Sequence, residues 1–275
     1  MIEKKTAPDL ERFKLFLQEE ELASGTVRNY LYAVGEYFKI YPELTKQNVI
    51  AWKSDLSQTL SANTVNTRLN AIKRYATYQG ILIPVKAVRL QRAFSTENVI
   101  TDDQYSYLMN CLKSDNEMQW YYNILILAKT GTRISEAVRL KKADAVRGYA
   151  TITSKGKVRK IRFPRLLKKE IKNYLQSLNN QEYLLQSTQS RGCRPISRRT
   201  VCYALTRFSK RYGIPQEVMH PHSFRHHFAI KVMDKTKDVT LLADLLGHSS
   251  VSTTMIYTRL SGDQQQKILD EAVDW

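Results

Sequence analysis

The 275-residue chain contains only three cysteines, Cys111, Cys193 and Cys202, and none stands in a CxxC pair. This spacing argues against a zinc finger, and we interpret all three as ordinary reduced thiols. No segment approaches the roughly 18 consecutive apolar residues of a membrane-spanning helix. The start, MIEKKTAPDLERF, lacks the pattern of a signal peptide. We therefore expect a cytoplasmic protein that does not act at a membrane.

Acidic side chains are also in short supply. There are 26 Asp and Glu against 43 Lys and Arg, which gives a net charge of +17. An excess of this size indicates a polyanionic partner, most commonly nucleic acid. Charge alone leaves open a basic globular protein without such a partner. The sequence shows no internal repeat and no low-complexity tract, and its length allows one large or two medium domains.

The first part of the chain is predicted to be a four-helix bundle. Leu10, Phe13 and Leu17 fall on one face of the first helix, and apolar residues continue at helical spacing afterwards. The expected boundaries are an N-cap at Ser24, an end at Pro42, a third helix over 46–56, and a fourth helix that starts after Ser61 or Asn63.

The remaining sequence predicts a basic linker and a second domain. Residues 85–98 have no clear period, so we place the domains at 1–84 and 99–275. Thr101 and Gln104 have the spacing of a capping box, which starts a new helix. Segments 149–154 and 158–163 alternate like the strands of a β-hairpin. The predicted fold class is mainly α with a small β-sheet.

Six residues form a candidate catalytic set for the covalent cleavage of a DNA phosphodiester. They stand in the strings TGTRISEAVRL, TSKGKVRKIRFP, HSFRHHFA, LLGHSS and MIYTR, and they are Arg133, Lys155, His222, Arg225, His248 and Tyr257. A tyrosine that cleaves a DNA phosphodiester must lose a proton from a phenol whose free pKa is about 10. The phosphorane needs preorganised cations, and the leaving 5′ hydroxyl needs a proton donor. Arginine suits the phosphate because its planar fork grips two oxygens.

Each of these residues alone has an ordinary structural explanation. Arg133 could be a surface arginine at a helix start. A lone His222 or His248 is more often a packed or surface histidine than a catalytic one. Any one of the 16 tyrosines is more often a packing residue than a nucleophile. The prediction depends on their joint order and spacing across the second domain.

These motifs resemble the tyrosine recombinase (phage-type integrase) family. TGTRISEAVRL is similar to its first box, with Arg133 as the first catalytic arginine and Glu136 as a supporting carboxylate. SKGKVRKIRFP resembles its lysine hairpin, which implies that Lys155 is the general acid. Pro164 lies one residue later than in the usual spacing, so Lys157 stays as an alternative general acid.

The second and closing boxes match as well. HSFRHHFA resembles the second box, with His222 and Arg225 in the His-x-x-Arg pattern and His226 in a supporting place. LLGHSSVSTTMIYTR resembles the closing box, with His248 nine residues before the nucleophile Tyr257.

The resemblance implies an Xer-like two-domain layout: a helical (SAM-like) core-binding domain over 1–84 and a catalytic domain over 99–275. It implies site-specific recombination through a 3′-phosphotyrosine and a Holliday junction. Neither metal nor ATP is expected, because the covalent bond keeps the energy. The implied partner is double-stranded DNA with inverted-repeat core sites, bound by a homo-tetramer whose free form is a monomer, at the nucleoid.

A basic helix is predicted to contact DNA. Ser197 opens it, and we expect it to enter the major groove with Arg198 or Arg199 at guanine edges. Contact with phosphates alone remains the alternative. The other residues predicted to bind DNA are Thr200, Arg207, Lys157, Arg28, Arg68 and Arg74. An apolar stripe that includes Ile268, Leu269 and Trp275 predicts a docking tail on a neighbouring protomer, with packing on its own domain as the alternative.

Two other functions remain open. A type IB topoisomerase shares the chemistry but relaxes single duplexes without synapsis. A non-catalytic DNA-binding regulator would need none of the catalytic set, which is present here. Within the recombinases, the sequence does not separate an integrase from an Xer-like resolvase or an invertase.

Overall fold

The computed structural model describes residues 8–89, 98–154, 157–178, 181–186 and 195–247, together with residues 254, 255 and 270. The chain divides into two compact units, Met1–Ala93 and Phe94–Trp275. The predicted limits at 84 and 98, and the roles assigned to each domain, stay predictions. Over the described ranges, no helix combines the length and apolarity needed to cross a bilayer.

Over residues 8–89, the N-terminal unit is a bundle of four helices, as predicted. They are α1 (Leu10–Glu19), α2 (Ser24–Ile40), α3 (Lys46–Thr59) and α4 (Ala62–Tyr78). Aromatic side chains from all four meet in its core: Phe13 lies edge-on to Tyr75 with ring centroids 5.0 Å apart, and Tyr37 lies edge-on to Trp52 at 5.3 Å. Burial of such large apolar side chains is the main stabilising contribution to the unit.

The N-caps of α2 and α4 differ in how they agree with the sequence predictions. Ser24 is not an N-cap: it is the first helical residue, and the cap position is held by Ala23 without a side-chain hydrogen bond. The Ala23 carbonyl accepts from the backbone N–H groups of Thr26 and Val27, so the backbone itself starts the helix. Ser61 caps α4 by accepting from the Thr64 N–H, which settles the choice between Ser61 and Asn63.

The C-terminal unit is helical around a single antiparallel hairpin in its described part. Its elements are α5 (Asp102–Ser114), α6 (Met118–Thr130), α7 (Ile134–Ala137), α8 (Lys142–Arg147), β1 (Tyr149–Ser154), β2 (Lys157–Arg162), α9 (Arg165–Glu170), α10 (Lys172–Ser177), α11 (Arg198–Tyr212), α12 (Pro221–Thr236) and α13 (Val239–Leu246). The capping box at Thr101 and Gln104 is confirmed. The predicted fold class is confirmed as well.

Helix α6 forms the centre of this unit. Most of its side chains are buried, including those of Trp120, Ile124 and Leu127, and α12 packs against it. It ends at Gly131, which has a left-handed conformation with φ 60°. A Cβ at Gly131 would lie 2.3 Å from the Phe228 ring of α12, so only glycine allows the close approach of these two segments.

Strand β2 begins at Lys157, one residue earlier than the sequence predicted. The ladder runs from Tyr149↔Arg162 to Ser154↔Lys157, so Lys157 already belongs to β2. The Phe163 N–H still donates to the Gly148 carbonyl beyond the ladder, but Phe163 lies outside the strand.

Candidate active site

Arg133 and Glu136 occupy the turn between α6 and α7. Arg133 caps α7, and the Glu136 carboxylate, one turn later, accepts from its backbone N–H at 2.9 Å and from its Nη1 at 3.2 Å. The Glu136 side chain is almost completely buried. A buried carboxylate needs charged hydrogen-bond partners, so this contact fixes the Arg133 side chain while leaving part of it open to solvent.

Arg225 is held inside the unit by main-chain oxygens. It is only 1% exposed on α12. Its Nη1 donates to the Gly131 carbonyl at 2.8 Å and its Nη2 to the Leu246 carbonyl at 2.7 Å. Leu246 is the last residue of α13, where carbonyl groups lack helical partners and carry partial negative charge. A buried guanidinium is therefore stabilised by the end of a helix.

The same helix end receives two further arginines. Arg133 Nη1 lies 3.5 Å from the Leu246 carbonyl oxygen, and Arg133 Nη2 donates to the Gly247 carbonyl at 3.3 Å. Arg159 also donates to the Leu246 carbonyl. Gly247 is left-handed with φ 62°, and a Cβ there would lie 2.4 Å from Arg159 Cδ. We call Arg133, Arg159, Arg225 and Glu136 the arginine cluster.

Sequence reasoning missed Arg159. Its Nη2 lies 3.2 Å from Glu136 Oε2, and its side chain is largely buried. Burial lowers the pKa of Arg159, Glu136 raises it, and Arg133 lowers it. The signal that could have identified it is strand alternation: Ile161 and Phe163, two and four residues later, are buried core residues. An arginine on the inward face of a strand needs a charged partner, and Glu136 is that partner.

His222 and His226 lie one turn apart on α12, with ring centroids 4.2 Å apart in an edge-to-face arrangement. The pKa of His222 is lowered, first by desolvation and then by the charges of Arg225, His220 and Arg133. His222 is therefore neutral near pH 7 and can accept a proton.

His220, two residues earlier, has a different task. It is the N-cap of α12, and its Nδ1 accepts from the Ser223 N–H at 3.1 Å. His220 therefore caps the helix, and this role differs from the catalytic role predicted for His222.

Three predicted catalytic residues, Lys155, His248 and Tyr257, lie outside the described residues. His248 directly follows Gly247, the C-cap residue of α13 that contacts the arginine cluster. Lys157 is the first residue of β2. The site therefore brings together Arg133, Arg225 and Glu136, while the roles of all predicted catalytic residues remain proposals.

The predicted DNA-contacting helix is α11. The Ser197 side chain caps it by accepting from the Thr200 N–H at 3.0 Å. Arg198 and Arg199 in its first turn are exposed. Arg207 is exposed too, but it donates to Glu117 at 3.2 Å. Contact between Arg207 and a phosphate would have to compete with this ion pair.

The predicted contacts in the N-terminal unit differ among themselves. Arg28 is exposed on α2. The Arg68 guanidinium lies over the Tyr32 ring, 5.5 Å from its centroid. Arg74 is paired with Glu20. The DNA-binding roles of all three stay predictions.

These geometries define a candidate phosphoryl-transfer site: two arginines held by a carboxylate and by the end of a helix, with a neutral histidine close by. The sequence pattern of the Phage integrase family matches residues 98–263. Since this match spans more than half of the chain, the chain belongs to the phage integrase family of tyrosine recombinases.

Similar proteins agree with this assignment. Tyrosine recombinase XerA of Pyrococcus furiosus is 29% identical over 272 residues, which cover 96% of this chain and 92% of XerA. The structure of the Tn1549 transposon integrase with transposon right end DNA superposes with a TM-score of 0.74 at 15% identity, over 96% and 99% of the two chains. A lambda integrase tetramer bound to a Holliday junction gives 0.69 at 21% identity, over 88% and 77%. The two structures show the fold.

Proposed function

We propose that this chain is a site-specific DNA recombinase that cleaves and rejoins DNA through a 3′-phosphotyrosine. The observation that carries the proposal is the convergence of Arg133 and Arg225 on the Leu246 carbonyl. Two guanidinium groups that share one oxygen acceptor can also share the non-bridging oxygens of one phosphate. Glu136 holds Arg133 in place. Family membership supplies the reaction in which such a pair is used.

In the proposed step, Tyr257 Oη attacks the scissile phosphorus. A phosphorus–oxygen bond to the tyrosine forms while the bond to the 5′ oxygen breaks. The phenolic proton passes to a histidine, His222 or His248, and the leaving 5′ oxygen takes a proton from Lys155 or Lys157. Arg133 and Arg225 stabilise the added charge of the phosphorane. A 5′ hydroxyl of the partner strand reverses the step, and two rounds form and resolve a Holliday junction.

The proposed partner is double-stranded DNA with inverted-repeat core sites. Residues 1–84 and 99–275 would contact it as core-binding and catalytic domains, with α11 in the major groove. The proposed synaptic assembly is a homo-tetramer, supported by the similarity to the lambda integrase tetramer on a Holliday junction. The proposed location is the cytoplasm, at the nucleoid.

The C-terminal tail is proposed to couple the protomers. Its predicted amphipathic stretch follows Gly262 and lies outside the described residues, apart from Asp270. Truncation after Gly262 should abolish cooperative synapsis while single-site binding is kept. Unchanged synapsis would contradict docking between protomers and favour a tail packed on its own domain.

The test of the proposed function is covalent trapping. Nicked suicide duplexes, tiled across the DNA that flanks the gene, are incubated with wild type and with Tyr257→Phe and are resolved by denaturing electrophoresis. An SDS-resistant adduct with wild type only is expected. An adduct with both proteins, or tight binding without any adduct, would contradict the proposal. Relaxation of a plasmid without strand exchange would favour the topoisomerase alternative.

A further inference from the structure

Exposed side chains flank the turn of the hairpin in the part that the structure describes. The two pairs nearest the turn are Thr153↔Val158 and Ser154↔Lys157. Val158 is 68% exposed, and Thr153 is exposed as well. A lone two-stranded hairpin is only marginally stable in water unless it packs against other elements. Among the side chains that the structure describes, the inward-facing ones nearest the turn are therefore the strongest constraint on its direction.

Arg159 is one of these side chains. It is paired across the ladder with Ile152, which packs against the core. The Arg159 guanidinium reaches Glu136 in α7 and the Leu246 carbonyl at the end of α13. Its aliphatic stem occupies the space that the missing side chain of Gly247 leaves open. One side chain thus ties β2 to the two segments that hold Arg133 and Arg225.

We propose that Arg159 is a positioning residue that fixes the turn end of the hairpin, and with it the lysine that protonates the leaving 5′ oxygen, relative to the catalytic arginines. The inference rests on the proposed function. Lys157 and Lys155 precede Arg159 by two and four residues. Arg159 acts through the strand, since its guanidinium is engaged by Glu136 and Leu246.

The consequence is a specific defect in protonation of the leaving group. A misplacement of about 1 Å in a reacting group lowers a rate on the order of 100-fold. Without Arg159, the arginine pair keeps its contacts with Glu136, Gly131 and α13, whereas the hairpin loses its link to them. The step that uses the lysine should therefore be affected far more than attack by the tyrosine.

The experiment compares two suicide duplexes that differ in one atom, the 5′-bridging oxygen of the scissile phosphate or a sulfur in its place. A thiol is much more acidic than an alcohol, so the sulfur leaves without a proton donor. Arg159→Met should lower the rate of adduct formation about 10- to 100-fold on the oxygen duplex and less than about threefold on the sulfur duplex. Equal losses on both duplexes would overturn the inference.

Two further variants complete the design. Lys160→Met removes a charge from the same strand on its outer face, where the ammonium lies 3.8 Å from the centroid of the Tyr149 ring. Any loss it causes should be equal on both duplexes. If Arg159→Met fails to fold, as judged by its melting curve, Arg159→Lys carries the test, because it keeps the charge but is too short for both contacts. Absence of a wild-type adduct on both duplexes would refute the proposed function itself.

Discussion

The arginine cluster and the exposed face of α11 belong to the same unit, and both are rich in guanidinium groups. In the cluster, Arg225 is buried and donates to two main-chain carbonyls. On α11, Arg198 and Arg199 are exposed, and Arg207 is paired with a surface carboxylate. The first region fixes its cations in one geometry, whereas Arg198 and Arg199 of the second region face solvent.

This difference separates the two tasks of a DNA-cleaving enzyme. Stabilisation of a transition state needs cations that do not reorganise during the reaction, because preorganisation is the source of the rate gain. Binding to a long duplex needs many cations that can follow the phosphates, and each contributes modestly. Contact with fixed main-chain carbonyls, rather than charge, therefore distinguishes the candidate catalytic arginines from the candidate binding arginines.

The strongest test of this contrast makes the same change, arginine to lysine, once in each region. Arg225→Lys keeps the charge but cannot donate to the Gly131 and Leu246 carbonyls together, so single-turnover cleavage should fall by about 100-fold or more. Arg211→Lys on α11, where Arg211 pairs with Asp115 at 2.6 Å, should change the rate less than about threefold. Equal effects of the two substitutions would remove the distinction.

The carboxylate of the cluster gives the next largest effect. Glu136→Gln removes the charge shared by Arg133 and Arg159, so cleavage should fall about tenfold, and the free energy of unfolding should decrease by about 1–3 kcal/mol. The matched control is Glu11→Gln, whose exposed carboxylate pairs with Lys14 at 3.3 Å and should contribute less than about 1 kcal/mol. Urea denaturation and trapping gels measure both quantities. A Glu136→Gln protein as stable and active as wild type would show that Glu136 is not needed to hold the arginines in place.

A smaller effect, on DNA binding, is expected from a substitution on the exposed face of α11. Arg199→Ala should weaken binding to the cognate site by about 1–3 kcal/mol if the side chain reads a base, and should relax specificity at one position. Binding measured against a set of single-base variants of the site distinguishes base readout by Arg199 from contact with phosphates alone. Uniform weakening across all sequences, with a salt slope reduced by about 1, would assign Arg199 to phosphate contact.

The smallest predicted effect is on the pH profile. Because the pKa of His222 is lowered from 6.5, its neutral form persists as the pH falls to that value and is lost only below it. If neutral His222 accepts the phenolic proton, cleavage at limiting protein should stay nearly level down to pH 6.5 and should fall only at lower pH. His227→Gln, which alters a histidine paired with Asp102, should keep this profile. A rate that rises on acidification would show that protonated His222 is the active form.

Much of this architecture follows from local sequence signals. The capping box at Thr101, the end of α2 before Pro42 and the alternation of the hairpin are properties of neighbouring residues, and the structure confirms each. Arg133 and Glu136 are one turn apart in the sequence, so their contact could be expected as well.

The parts that sequence reasoning missed depend on distant main-chain atoms. The acceptor shared by three arginines is a carbonyl at the end of α13, and no side-chain pattern reports where a carbonyl will lie. Arg159 is one of several basic residues in the string KVRKIR, and only its inward direction separates it from Lys160. The need for glycine at 131 likewise arises from Phe228, which lies about 100 residues away.

The most direct test of the central claim is to map the residue that carries the DNA. The adduct from a suicide duplex is digested with nuclease and trypsin, and the modified peptide is sequenced by mass spectrometry. Tyr257 is the only tyrosine in the tryptic peptide that spans residues 238–259. We expect a nucleotide phosphate on Tyr257 of this peptide, and no adduct in Arg225→Lys at the same reaction time. A phosphate on any other residue would contradict it.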